Sequence, residues 1–224
     1  MIEKTALIAG ATGLVGGHLL TLLLADPQYR RVVAVTRRPL GVAPSPKLEA
    51  LVVDFETLDK SLAQNNISVD DAYCALGTTI KTAGSQEAFR KVDHDYIVAF
   101  AKAAKARGAK RLMLVSSIGA DPASAVFYSR VKGETEQALG ALGFDTLHIF
   151  RPGLLIGARR ESRPVETIGK IVSPLLDAMM LGRARVYRSM RAENVARAMR
   201  AAASTATSGR QVHTYDQMMY LAGA

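Results

Sequence analysis

The sequence predicts an α/β fold built on a doubly wound parallel sheet with a small C-terminal lid. Two observations predict it: short apolar runs alternate with helical stretches as far as residue 150, and a glycine-rich turn joins the first run to the first helix. Short apolar runs between helices are typical of parallel strands buried on both faces. The chain has 224 residues, 49% of them hydrophobic and 22% charged, which suits one large folded domain rather than a disordered chain.

Six apolar runs are the predicted strands. Each has three to five residues and is bounded by turn-forming or charged residues. They are Ala6–Ala9, Arg31–Val35, Leu51–Val53, Asp71–Ala75, Leu112–Val115 and Thr146–Phe150.

Three helices are predicted between these strands from apolar residues at helical spacing. The first covers Leu14–Leu24 and stops before Pro27. The second begins near Ser85, a suitable N-cap, and ends at Gly108. The third covers Ser124–Leu142.

The regular alternation ends after residue 151. A loop rich in Arg, Gly and Pro is expected over Arg151–Pro164, followed by helices at Ile168–Leu181 and Glu193–Ala203. We therefore expect a single domain over residues 1–224, in which residues 152–224 form a substrate lid over the carboxyl ends of the strands. Open α/β sheets bind their ligands at that edge.

The chain's composition and first 25 residues bear on its location. Thr5–Ala25 contains no charged residue, which would suit a signal peptide or a membrane span. Four glycines interrupt this run, and Glu3 stands where a signal peptide would be basic, so we favour a strand and a helix instead. The single cysteine, Cys74, excludes an internal disulfide and fits a reducing compartment. A cytoplasmic location is expected.

The glycine-rich turn has the spacing G-x-x-G-x-x-G between a strand and a helix. Such glycines allow a tight turn, close approach of the backbone to a pyrophosphate, and close packing of the helix on the strand. The N–H groups of the following helix attract phosphate. We assign this turn to a dinucleotide cofactor, with contacts from Gly10, Ala11, Thr12, Gly13, Leu14, Val15 and Gly16.

The end of the second strand predicts which dinucleotide binds. An acidic residue there would favour NAD, whereas an arginine accommodates the 2′-phosphate of NADP. The chain has Arg37 and Arg38 and no acid, so NADPH is expected to bind in preference to NADH. The alternative is that this pair is only a solvated loop. Asp54 and Phe55 are expected to contact the adenine, and Gly77-Thr78 lets the backbone approach the cofactor.

A tyrosine and a lysine four residues apart form the predicted catalytic pair. Tyr128 and Lys132 would face the same way on a helix. An ammonium beside a phenol favours the phenolate, which prepares the tyrosine for proton transfer. Ser116-Ser117 ends the fifth strand, where Ser117 could hydrogen-bond a substrate oxygen.

Several motifs together resemble one family. They are Gly10-Ala11-Thr12-Gly13 with Gly16, Leu76-Gly77-Thr78-Thr79, Val92-Asp93-His94-Asp95-Tyr96, Ser116-Ser117-x-Gly119-Ala120-Asp121, Val131-Lys132-Gly133-Glu134, Arg151-Pro152-Gly153 and Glu161-Ser162-Arg163-Pro164. The chain resembles the atypical short-chain dehydrogenases/reductases with an NAD(P)-binding Rossmann fold, in the oxidoreductase branch named after the HIV Tat-interacting protein.

The resemblance implies NADP(H) binding and a hydride-transfer reaction on a small carbonyl or alcohol. It implies a catalytic triad of Ser117, Tyr128 and Lys132, in which Lys132 also holds the nicotinamide ribose. The remaining residues assigned to the cofactor are Leu76, Ser116, Arg151, Pro152 and Gly153. Many relatives in the wider superfamily have Asn where Asp93 stands, supporting the lysine through a water molecule, and Asp93 could accept in the same way.

Two other functions stay open at this level. One is a regulatory protein that senses NADP without turnover, and the other is nucleotide-sugar or isomerase chemistry with the same triad. The net charge of +9 suits an anionic partner, although NADP itself is one, and no nucleic-acid-binding motif is present. We expect a small-molecule substrate, no metal site, no nucleic acid, no membrane association and a possible homo-oligomer.

Overall fold

The computed structural model describes residues 4–157 and 182–224. Its main sheet has seven strands in the order β3-β2-β1-β4-β5-β6-β9, all paired in parallel, and β7 and β8 form a small second sheet. The strands are β1 (Lys4–Ala9), β2 (Tyr29–Thr36), β3 (Leu48–Val52), β4 (Asp71–Cys74), β5 (Arg111–Val115), β6 (Thr146–Phe150), β7 (Leu155–Ile156), β8 (Met190–Arg191) and β9 (Gly209–His213).

Helices cover both faces of the main sheet. None of the helices described reaches the combined length and hydropathy that a membrane crossing requires. The helices are α1 (Leu14–Ala25), α2 (Leu58–Gln64), α3 (Ile80–Ala83), α4 (Gln86–Arg90), α5 (Tyr96–Ala106), α6 (Phe127–Gly140), α7 (Ala192–Ala202) and α8 (Tyr215–Ala222).

The strands form because alternate residues supply two separate apolar cores. Leu7 and Leu112 belong to the core beneath α2 and α5, while Ile8, Tyr73 and Met113 belong to the core beneath α1 and α7. All of these side chains are fully buried. A strand buried on both faces needs apolar residues at every position, which is why the apolar runs predicted the central strands well.

The strand order reverses between β1 and β4, which lie side by side although two strands separate them in the chain. In doubly wound folds the crevice at this reversal, at the carboxyl ends of the strands, binds the ligand. The loops that leave β1, β4 and β5 therefore define where the site lies. The predicted doubly wound α/β fold is confirmed.

The described part of the C-terminal segment differs from the lid expected for residues 152–224. Strand β9 extends the main sheet beside β6, and α7 buries Val195 and Met199 against the core that α1 covers. Strand β9 was not predicted because it is an edge strand with the sequence GRQVH, in which no residue is fully buried. The helix predicted over Ile168–Leu181 lies outside the described residues, so a lid there stays a prediction.

The helix predicted from Ser85 to Gly108 is interrupted by a wider turn. Ser85 caps α4 as expected, since its Oγ accepts the Ala88 N–H at 3.1 Å. Between α4 and α5, however, Lys91–Asp95 forms a π-helical segment. Such segments insert one extra residue into a helix and often accompany functional sites. The residue turned inward here is Asp93, which is fully buried.

Candidate active site

The glycine-rich turn presses against the end of β4. Gly10 has a φ of +84°, and a Cβ there would lie 2.4 Å from the Ala75 carbonyl oxygen. A Cβ at Gly16 would lie 2.0 Å from the Gly10 carbonyl oxygen. Both positions therefore require glycine. At Gly10 a side chain would be strained by the positive φ and would also clash with the backbone at Ala75. At Gly16 a side chain would clash with the turn, because helix α1 packs directly on it.

The N-terminus of α1 is open to an anion. Gly13 is its N-cap, no side chain caps it, and its first turn holds no acidic residue. Thr12 and Gly13 are exposed, whereas Ala11 and Val15 are buried in the core. The unpaired N–H groups at this end suit a pyrophosphate. The glycine-rich turn and the N–H groups at the start of α1 therefore fit the dinucleotide that the sequence predicts. Because their side chains are buried, Ala11 and Val15 could contact it only through their backbone.

The arginines at the end of β2 lie on the surface. Arg37 and Arg38 are both exposed, directly after the strand. Asp54 follows β3, and its Oδ1 accepts the Glu56 N–H at 3.0 Å as the cap of a short 3₁₀ turn. The ring of Phe55 is 2% exposed and packs on Tyr96 with ring centroids 5.4 Å apart. The expected packing of this ring on an adenine is therefore not what the structure shows, because α5 already covers it.

Helix α6 carries the predicted catalytic pair. Tyr128 is half-buried with its ring 5.4 Å from that of Phe89, and Lys132 follows one turn later with only 5% exposure. Burial by itself lowers the pKa of the Lys132 ammonium, but attraction from Asp93 and Tyr128 outweighs burial and raises it. Lys132 is therefore a buried cation at neutral pH, electrostatically coupled to Tyr128.

Asp93 is the direct partner of this cation. The Lys132 Nζ lies 2.7 Å from Asp93 Oδ1, and Asp93 Oδ2 accepts the Thr78 N–H at 2.8 Å. A Cβ at Gly77 would lie 3.5 Å from Asp93 Oδ1 and 3.9 Å from Lys132 Nζ. Asp93 thus joins Lys132 to the loop after β4. The contact between Lys132 and Asp93 is direct, whereas the resemblance implied support for the lysine through a water molecule.

The π-helical segment is held by a threonine that sequence reasoning missed. Thr135 is buried on α6, and its Oγ1 hydrogen lies within reach of two carbonyl oxygens, that of Asp93 at 2.9 Å and that of Val131 at 2.7 Å. A widened turn leaves carbonyl groups without their usual helical partners. Thr135 gives one of them a partner and joins this segment to α6. Its position three residues after Lys132 is the only sequence signal for this role.

The two serines after β5 have different surroundings. Ser117 is half-buried, and its Oγ makes only a 3.2 Å hydrogen bond to the Ile118 carbonyl among the described residues. Ser116 is buried, and its Oγ donates to Glu136 Oε1 at 2.6 Å. Ser117 is therefore available to a substrate, whereas the side chain of Ser116 is committed to α6 and can offer a cofactor only its backbone.

Glu136 also binds two arginines, one of which was assigned to the cofactor. Arg151 donates to both carboxylate oxygens, at 2.9 and 2.5 Å, and Arg210 donates to Oε2 at 2.8 Å. Because Glu136 is 1% exposed, this is a buried cluster that joins α6 to the ends of β5 and β6 and to β9. The Arg151 side chain is thus occupied. Sequence reasoning missed Glu136, although an acid one turn after Lys132 was a signal.

The loop after Arg151 nevertheless lies beside Ser117, the serine predicted to be catalytic. The Pro152 carbonyl accepts the Ile118 N–H at 3.0 Å. A Cβ at Gly153 would lie 2.8 Å from the carbonyl oxygens of Tyr187 and Arg188, so glycine is needed for this approach. The structure therefore brings Ser117, Pro152 and Gly153 together at the carboxyl edge of the sheet.

The fold and this site define a class of protein. A family model described as NAD(P)H-binding matches residues 10–170, and the chain belongs to that family. Within it, the chain is an atypical short-chain dehydrogenase/reductase that resembles Protein HTATIP2 of Rattus norvegicus. It is 40% identical to that protein over 172 residues, which cover 76% of this chain and 70% of the relative.

Two further comparisons agree with this assignment. Protein fmp52, mitochondrial, of Emericella nidulans is 39% identical over 210 residues, which cover 86% of this chain and 90% of that protein. The solved structure of MoeE5 in complex with UDP-glucose and NAD shares the fold, with a TM-score of 0.69 and 18% identity over 98% of this chain and 81% of that one.

The relatives correct one expectation. Proteins named fmp52 in Emericella nidulans, Aspergillus niger and Saccharomyces cerevisiae are all called mitochondrial. The cytoplasmic location inferred from cysteine usage is contradicted by these names. A single buried cysteine excludes a disulfide whatever the compartment, so it could not distinguish the cytoplasm from other reducing compartments.

Proposed function

We propose that this chain is an NADP-dependent oxidoreductase that transfers a hydride between the nicotinamide and a small carbonyl or alcohol substrate. One observation carries the proposal: Tyr128 and the buried cation Lys132 occupy successive turns of α6 and are electrostatically coupled. Such a pair equips a site to move a proton to or from a substrate oxygen. The bound nicotinamide would supply or accept the hydride.

Each residue of the proposed triad has one task. The Tyr128 hydroxyl gives the proton to the substrate oxygen in reduction and takes it in oxidation. Ser117 donates a hydrogen bond to that oxygen, since its hydroxyl has only a weak partner among the described residues. Lys132 retains two donors beyond its contact with Asp93 and would hold the nicotinamide ribose.

The preference for NADP rests on the end of β2. Arg37 and Arg38 are exposed there, and the position where an acid would select NAD is a threonine or an arginine. A hydrogen bond between an arginine and a phosphate is worth about 1.5–3 kcal/mol, so one such contact predicts a preference of roughly tenfold or more. We therefore expect NADPH to bind at least tenfold more tightly than NADH.

Calorimetric titration of the purified chain with NADPH and NADH tests the cofactor assignment. The variant R37M/R38M should lose most of the NADPH preference while NADH affinity changes little. The charge-matched variant K102M/K110M removes two exposed lysines elsewhere and should keep the preference. Equal affinity for both cofactors in the unmodified chain would contradict the NADP assignment, and binding of neither would remove the oxidoreductase proposal.

The substitution Y128F separates an enzyme from a cofactor sensor. In an enzyme, loss of the phenolic hydroxyl should lower NADPH-dependent turnover at least a hundredfold, because proton transfer contributes about 10²–10⁴-fold, while NADPH affinity stays within threefold. Unchanged turnover would exclude Tyr128 as the proton donor. A chain that binds NADPH but turns over no carbonyl in a broad substrate panel would favour the sensor instead.

A further inference from the structure

Exposed apolar side chains accompany the polar residues of the candidate site. Three of them each lie two residues along the chain from a residue already placed there, and their exposed fractions lie between 36% and 61%. They are Ile80 after Thr78, Val126 before Tyr128 and Leu154 after Pro152. A fourth, Tyr187, is 56% exposed and lies next to Gly153, where a Cβ would be 2.8 Å from the Tyr187 carbonyl oxygen.

Asp93 holds the first of these segments against helix α6. Its Oδ2 accepts the Thr78 N–H at 2.8 Å, and its Oδ1 lies 2.7 Å from the Lys132 Nζ. Helix α3 begins at Ile80, directly after this loop, and α6 begins directly after Val126. The contacts of Asp93 therefore bring the segment that carries Ile80 to the helix that Val126 precedes.

Backbone hydrogen bonds bring the other segments together at the loop that leaves β5. The Ile118 N–H donates to the Pro152 carbonyl at 3.0 Å. Further along the same loop, the Asp121 N–H donates to the Ser129 carbonyl of α6 at 3.1 Å. The segment that carries Leu154 and the first turn of α6 thus contact one loop, which also contains the serine predicted to be catalytic.

We propose that the substrate of this site is a carbonyl compound, or the corresponding alcohol, with an apolar chain, and that Ile80, Val126 and Leu154 contact that chain. The proposal rests on the proposed function and adds the substrate class to it. The carbonyl group would lie at Ser117 and Tyr128, and the chain would extend from there over the exposed apolar side chains.

The physical argument compares this site with the rest of the surface. A single exposed apolar side chain is ordinary, and the other large ones described lie on separate elements: Val42 after β2, Val52 on β3, Val212 on β9 and Tyr220 on α8. Several of them around a few polar groups are typical of a small-molecule site.

The polarity of these side chains also distinguishes two substrate classes. A nucleotide sugar, the alternative that the sequence left open, is polar over its whole length, and apolar side chains offer its hydroxyl groups no hydrogen-bonding partner. The buried charges of Asp93 and Lys132 compensate each other at 2.7 Å. An uncharged chain that leaves water at this surface gains free energy in proportion to the area it buries.

The test measures how the affinity for a carbonyl ligand depends on its chain length. Butanamide, hexanamide and octanamide share one unreactive carbonyl group and differ only in methylene groups. Fully burying one methylene is worth about fourfold in affinity. By calorimetric titration of the NADPH complex, we expect octanamide to bind at least tenfold more tightly than butanamide. A smaller gain, or no binding of any of the three amides, would overturn the proposal.

The variant V126S/L154S tests whether the chain lies on these side chains. Both are exposed, so serine at these positions should leave folding intact. Octanamide affinity should fall at least fivefold and butanamide affinity by less than twofold, because the shorter chain covers less apolar surface. The matched control V212S replaces a valine that is 38% exposed on β9 and should change neither affinity. A loss of octanamide affinity below fivefold, or an equal loss in V212S, would overturn the assignment.

A nuclear magnetic resonance titration of the methyl groups distinguishes failure of this proposal from failure of the proposed function. With or without NADPH, octanamide should shift the methyl resonances of Ile80, Val126 and Leu154 and leave those of Val212 unchanged. Absent NADPH binding would remove the proposed function, and these shifts would still show where the apolar chain binds. NADPH binding together with unshifted methyl resonances would overturn the substrate class alone.

Discussion

Two buried carboxylates differ in the donor groups that they leave free: Asp93 contacts a residue of α6, and Glu136 is itself on α6. Asp93 binds one cation, Lys132, which keeps donors for a ligand on its open side. Glu136 binds two arginines and the Ser116 hydroxyl, and each of its oxygens accepts from at least two donors. The first acid therefore serves the site, and the second joins α6 to the ends of β5 and β6 and to β9.

The difference shows why burial and ion pairing do not by themselves identify a functional residue. Both acids are at most 1% exposed, and both contact strongly basic groups. What distinguishes Asp93 is its place beside Gly77 and Thr78 at the strand reversal, with Tyr128 coupled to its lysine. Both oxygens of Glu136 instead accept hydrogen bonds from Ser116, Arg151 and Arg210. The comparison makes a direct prediction: Glu136 contributes chiefly to stability, and Asp93 chiefly holds Lys132 in place at the candidate site.

The substitution E136Q should therefore produce the largest loss of stability. Removing the charge leaves two arginines without their carboxylate in a buried cluster, and breaking a buried ion pair typically costs about 3–5 kcal/mol. Since Arg210 is 46% exposed and can turn to water, we expect a loss of about 2–4 kcal/mol in the free energy of unfolding, measured by urea denaturation.

The matched control is E134Q, two residues earlier on the same helix. Glu134 pairs with Arg90, but both side chains are substantially exposed, at 30% and 44%, and exposed ion pairs contribute about 1 kcal/mol or less. Equal losses in E134Q and E136Q would show that burial of the cluster adds nothing. NADPH affinity should be unchanged in both variants.

The sequence predicted the central strands and the motifs of the candidate site, but not strand β9 or the contacts of Glu136 and Thr135. Apolar runs identified the six strands that the structure places side by side. Central strands need apolar residues on both faces, and the edge strand β3 was found from the apolar residues at its end. The glycine turn with Tyr128 and Lys132 remains the basis of the predicted site. Strand β9 escaped prediction because an edge strand needs no apolar run. Glu136 and Thr135 escaped because their partners Arg151, Arg210 and Asp93 are 15, 74 and 42 residues away, and no spacing rule brings such residues together.

The buried imidazole of His148 on β6, unlike the two carboxylates' basic partners, has no carboxylate partner among the described residues. His148 is 1% exposed, and its Nδ1 lies 2.9 Å from His213 Nε2 beside a cavity of about 420 Å³ between β9 and α8. Burial, with smaller contributions from His213 and Arg111, lowers the pKa of His148 from 6.5 to about 4. The folded protein therefore keeps this ring neutral at pH 5, where the unfolded chain protonates it.

The free energy of unfolding should accordingly fall as the pH decreases through this window. Because the folded pKa is the lower one, the unfolded state binds more protons between pH 6.5 and 4, and stability is lost there. We expect a loss of about 2 kcal/mol from His148 between pH 7 and pH 5. In H148Q the difference between the two pH values should shrink by that amount. In H18Q, where the exposed His18 is replaced, it should not change.

The smallest expected effect separates the two arginines of the Glu136 cluster. Arg151 makes two hydrogen bonds to the carboxylate and is 24% exposed, whereas Arg210 makes one and is 46% exposed. A bidentate, better buried contact should contribute more, so R151M should lower the free energy of unfolding by about 1 kcal/mol more than R210M. Each loss should largely disappear when measured in the E136Q background, because the shared partner's charge is then absent. If R151M were equally destabilising with and without Glu136, the Arg151 side chain would act through packing rather than through this cluster, and the carboxylate would depend on Arg210 alone.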